Sequence, residues 1–69
     1  MNLEKDLETY KQGYLRGSFG MLGAWWKEDV QFVMGLTHGL SDFLNGKICV
    51  ERALLQEKLR LEEYYTYLC

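Results

Sequence analysis

Apolar residues recur at three- and four-residue steps along almost the whole 69-residue chain, and no stretch alternates in the way a half-buried strand would. The chain is therefore expected to be all-α. Proline is absent, so no helix is forced to stop by one.

Three segments follow from the phasing. The first runs from about residue 2 to 16, with Asn2 as N-cap and Leu3, Leu7, Tyr10 and Tyr14 forming one stripe. Glu4, Lys5, Glu8, Lys11 and Gln12 fill its outer face. The middle segment, about 18 to 44, carries two adjacent stripes turned by about 100° from each other. One is Phe19, Leu22, Trp26, Val30, Val33, Leu40 and Leu44; the other is Trp25, Phe32, Leu36 and Phe43. Together they cover nearly half the circumference, more than a single neighbouring helix needs. The last segment, about 47 to 68, begins after the helix-stopping pair Asn45-Gly46. Val50, Leu54, Leu61, Tyr64 and Leu68 form its main stripe, while Ile48, Leu55 and Leu59 lie on a different side.

Glycine leaves two readings open. Gly13, Gly17, Gly20 and Ala24 fall at steps of four, three and four. Each glycine inside a helix costs about 1 kcal/mol relative to alanine, so the chain either turns between Gly13 and Gly23 or uses the glycines to admit another backbone. Gly35 and Gly39 raise the same choice, with a kink or short loop near Thr37 as the alternative to a packing seam. The expected fold is a small bundle of three helices, or four if the middle one breaks near 35–39.

A chain this short makes one domain and sits near the lower size limit for a self-sufficient core. Yet 48% of its residues are hydrophobic and 14% aromatic, too many for a disordered segment. Cys49 and Cys69 fall at opposite ends of the last segment, about 30 Å apart on a straight helix, and cannot pair within it. With no staple of this kind, the bundle is expected to be completed by homodimerisation.

Several function classes are disfavoured. The net charge is −2, and Lys47, Arg52, Lys58 and Arg60 are interleaved with Glu51, Glu57, Glu62 and Glu63, so no basic stripe exists to track nucleic-acid phosphates. The longest uncharged run, Val30 to Ser41, is shorter than the roughly 20 residues that span a bilayer, so no membrane-spanning helix is expected, and no membrane is expected as the partner. The first residues lack the basic and apolar regions of a secretory signal, and a cytoplasmic location is expected. His38 is the only histidine and has Asp42 one helical turn away; it reads as a rim residue. There is no Cys-x-x-Cys or His-x-x-x-His pair to hold a metal. Gly17-Ser18-Phe19-Gly20-Met21-Leu22-Gly23 resembles a phosphate loop only in its glycines, with no preceding strand and no lysine. No catalytic residue, cofactor or metal is expected.

Gly39-Leu40-Ser41-Asp42-Phe43-Leu44 followed by Cys49-Val50 resembles a stretch of small periplasmic immunity-type helical proteins. That pattern implies a second cysteine bridged to Cys49 within the domain, a proline after it and a secretion signal. The sequence departs from it in all three, and no family is assigned.

The aromatics carry the remaining signal. Trp25 and Trp26 are adjacent and point about 100° apart, so both cannot centre one helix contact. Tyr64, Tyr65 and Tyr67 surround the final turns. The expected function is a non-enzymatic protein-binding module, a small regulator or inhibitor of the phage or mobile-element type. Trp25, Phe32, Leu36, Phe43, Leu55, Leu59, Tyr64, Tyr65 and Tyr67 are its expected partner or dimer surface. A self-assembling structural subunit and a peripheral membrane protein are the alternatives.

Overall fold

The computed structural model describes residues 3–20 and 29–68, and the described residues contain three helices and no strand. Helix α1 spans Leu3–Ser18, with Glu4 and Asp6 in its first turn and Arg16 in its last, each sign placed where the helix dipole favours it. It continues through Gly13 and Gly17. It ends where Phe19 N–H donates to Arg16 O at 3.1 Å and Gly20 N–H to Gly17 O at 2.9 Å, with Gly20 at φ 75°. Among the described glycines of the Gly13–Gly23 stretch, Gly20 is the one that turns; Gly23 lies outside the described residues.

Helix α2 spans Val30–Asn45. Asp29 caps it, its side chain accepting from Gln31 N–H at 2.8 Å. The middle segment was expected from about residue 18; residues 21–28 of it lie outside the described residues, and α2 itself begins after the Asp29 cap. Trp25 and Trp26 lie outside the described residues. Gly35 and Gly39 do not interrupt α2. It closes at Gly46, φ 67°, where Gly46 N–H donates to Phe43 O (3.2 Å) and Lys47 N–H to Asp42 O (2.8 Å). This paired capping needs the left-handed conformation that glycine adopts cheaply.

Helix α3 spans Val50–Leu68. Among its described side chains, Ala53, Glu57 and Leu61, at steps of four, are buried, with Val50 and Leu54 partly buried beside them.

The glycines decide how α1 and α2 meet. A methyl group on Gly13 would overlap the Phe32 carbonyl oxygen and stand 2.9 Å from Leu36 N; one on Gly17 would overlap Leu36 O and stand 2.7 Å from Leu40 N. Reciprocally, a methyl on Gly35 would overlap Tyr10 O, and one on Gly39 would overlap Tyr14 O. Backbone therefore lies on backbone at four points. In each, a glycine hydrogen occupies the direction of the missing Cβ and points at a carbonyl oxygen, the geometry of a weak Cα–H···O contact. Later residues of α1 meet later residues of α2, so the two helices run parallel. The chain between them connects opposite ends.

Because α2 turns its glycine face to α1, Phe32 and Leu36, which share that face, are buried at 8% and 3% exposure. Of the stripe expected to be surplus, Phe32 and Leu36 are thus packed, while Phe43 stays 46% exposed. Val30 and Leu44, from the other stripe, are exposed at 71% and 74%. The guanidinium of Arg16 lies over the Phe32 ring, 5.4 Å from its centroid.

Helix α3 runs antiparallel to this pair. At one end Cys49 N–H donates to Tyr14 Oη at 3.0 Å; at the other, Tyr65 donates to the Asp6 carboxylate. Tyr10, Tyr14 and Ala53 form the core where α3 crosses α1, with Met34, Val50 and Leu54 packed around them.

Candidate partner-binding surface

Parallel α1 and α2 place their C-termini at one end of the bundle, where α3 begins. Four large apolar side chains are exposed there: Phe19 at 74%, Leu44 at 74%, Phe43 at 46% and Ile48 at 47%. Phe43 reaches across to the turn that ends α1, since a Cβ at Gly20 would lie 3.5 Å from its ring. On α3, Leu55 and Leu59 lie one turn apart on the side opposite Ala53, Glu57 and Leu61, each more than half exposed.

Of the residues expected at a partner surface, Phe43, Leu55 and Leu59 are exposed, whereas Phe32 and Leu36 lie in the α1–α2 contact. Tyr64 is 52% exposed and Tyr67 90%. Together with Arg60 and Glu63 they line a shallow groove along α3. Tyr65 is half-buried, and its hydroxyl is engaged by Asp6, which raises its pKa. Trp25 lies outside the described residues. The surface thus divides into an apolar bundle end, two leucines on α3 and the Tyr64–Tyr67 edge.

A polar layer between the helices was not legible beforehand. Tyr10 Oη lies 2.6 Å from His38 Nδ1, and Tyr14 Oη donates to Asp42 Oδ2 at 2.6 Å. Both pairs are 28 residues apart in sequence, so the glycine-set register of α1 and α2 aligns two tyrosines one turn apart with a histidine and a carboxylate one turn apart. Burial, reinforced by the nearby Glu57 charge, pushes the Tyr10 hydroxyl up to about 12. Burial and the Asp42 hydrogen bond raise Tyr14 as well.

Glu57 is the buried charge of the layer, at 3% exposure. It accepts from Arg60 Nε at 2.8 Å, Arg60 Nη2 at 2.7 Å and Gln31 Nε2 at 2.7 Å. Burial alone would raise its pKa; these bonds and the Arg60 charge outweigh that and hold it below its ordinary value. The phase of Ala53, Glu57 and Leu61 at four-residue steps was the available sign that Glu57 faces inward.

Beside the two tyrosines, α2 and α3 diverge to leave an open cleft of about 210 Å³. Tyr10, Tyr14 and Ala53 form its floor, His38, Ser41 and Asp42 its α2 wall, and Gln56 its α3 wall. No cluster of three potential metal ligands occurs among the described residues. Among them, too, no helix is long and apolar enough to cross a membrane. Comparison with protein-family models, characterised proteins and solved structures finds no match.

Proposed function

We propose that this is a non-enzymatic protein-binding module that acts by occupying a surface of a partner chain, as a small regulator or inhibitor would. The exposed bundle end supports this reading. Single exposed apolar residues are ordinary, but Phe19, Phe43, Leu44 and Ile48 share one end of a small protein, and two of them are three-quarters exposed. Covering such a patch yields about 25 cal/mol per Å² of apolar surface removed from water. None of the four belongs to the buried core, and Phe19 and Leu44 in particular leave three-quarters of their surface uncovered.

The test pairs wild type with the Leu44→Glu variant in affinity capture, alongside the solution mass of each. Wild type is expected to retain a defined partner that Leu44→Glu loses, with both proteins melting together. A closed dimer that dissociates on Leu44→Glu would make the partner a second copy of the chain. A wild-type monomer whose captured proteins are unchanged by the substitution would overturn the reading.

A further inference from the structure

The two inward carboxylates differ in how completely the chain satisfies them. Glu57 is gripped by Arg60 through two nitrogens and by Gln31 through a third. Asp42 receives one hydrogen bond, from Tyr14 to Oδ2, and Arg52 approaches the same oxygen only to 4.0 Å. The Nη2 of Arg52 is directed instead to Lys47 O at 2.9 Å. Asp42 Oδ1, Ser41 Oγ and the Gln56 side chain make no hydrogen bond among the described residues. All three residues line the same cleft.

We propose that this cleft receives the guanidinium group of an arginine side chain carried by a protein partner, with Asp42, Ser41 and Gln56 accepting its hydrogen bonds. The proposal rests on the protein-binding reading but uses a face distinct from the apolar end. At about 210 Å³ the cleft falls below the roughly 300 to 1,000 Å³ of small-molecule sites and suits the end of one side chain. Its acceptors stand on two walls, Ser41 and Asp42 on α2 and Gln56 on α3. Serving both walls calls for several N–H donors spread in a plane, and guanidinium has five against the three of an ammonium group. The same chemistry already operates within the chain, where Arg60 forks onto Glu57. Ala53 keeps the floor open; a larger side chain there would fill it.

The intact chain, ¹⁵N-labelled, is titrated with a blocked Gly-Arg-Gly peptide and with the same peptide carrying citrulline, the neutral isostere. Saturable shifts are expected at the Ser41, Asp42 and Gln56 amides with the arginine peptide and not with citrulline. Gln56→Leu, at an exposed position that does not support the core, should weaken binding roughly fivefold or more, as loss of one hydrogen-bonding partner implies. Equal shifts with citrulline, or unchanged binding in Gln56→Leu, would overturn the proposal. So would methylguanidine binding as tightly as the peptide, which would assign the cleft to a free cation. Leu44→Glu should leave the titration unaltered, so failure here and failure at the apolar end are read separately.

Discussion

Tyr14 is the residue on which all three helices converge. It is fully buried on α1, donates to Asp42 of α2 and accepts the backbone N–H of Cys49 at the entry to α3. Tyr14→Phe keeps the ring but leaves that N–H without its acceptor and removes the one hydrogen bond to Asp42 Oδ2. It is expected to lower stability by about 1–3 kcal/mol in chemical denaturation, with little change in the slope of the transition. Tyr10 contributes at the alkaline end. Its folded pKa is raised from 10.0 to about 12, so its contribution is complete below pH 10 and is lost as pH rises towards 12. A phenolate absorbance titration should show Tyr10 ionising late, together with unfolding. Glu57 acts at the acid end with the opposite sign. Its folded pKa lies below 4.5, so its contribution is present above that pH and is lost as the carboxylate takes up a proton below it. Glu57→Gln should destabilise the protein by about 1–3 kcal/mol at neutral pH and flatten the loss of stability below pH 4.5, measured by denaturation across pH.

Among the elements, α1 and α2 are bound through their backbones more than through side chains. Gly13→Ala and Gly39→Ala would each gain about 1 kcal/mol of helix propensity and lose more, because the added methyl meets a carbonyl oxygen that cannot rotate away. Each is expected to lower stability by about 1–3 kcal/mol net, and the double substitution should separate the helices and expose Phe32 and Leu36 to a hydrophobic dye. Gly46→Ala is the informative contrast. Nothing lies within 4 Å of its Cβ position, so its loss, about 1 kcal/mol, should come only from the φ of 67°. The helical period announced these elements and the Asn45-Gly46 stop. It did not announce the face each helix buries, because a width of apolar surface does not say which part a neighbour takes. Phe32 and Leu36 became core once the flanking glycines drew their face onto α1.

For the whole molecule, the consequence of that choice is what remains outside. Packing α2 by its glycine face leaves Val30 and Leu44 exposed, and α3, laid on the tyrosine layer by Ala53, Glu57 and Leu61, leaves Leu55 and Leu59 on its far side. Leu55→Lys with Leu59→Lys should change stability by no more than about 0.5 kcal/mol, since neither side chain supports the core; thermal denaturation checks this. By itself the sequence determined the helical class and the turn at Gly46, because these follow from local periodicity and backbone conformation. Tertiary structure alone decided the parallel register of α1 and α2 and the division of apolar residues between core and surface. It also decided the pairing of Tyr10 with His38 and of Tyr14 with Asp42. Those contacts join residues 28 apart, and their geometry exists only once four glycines have let two backbones touch.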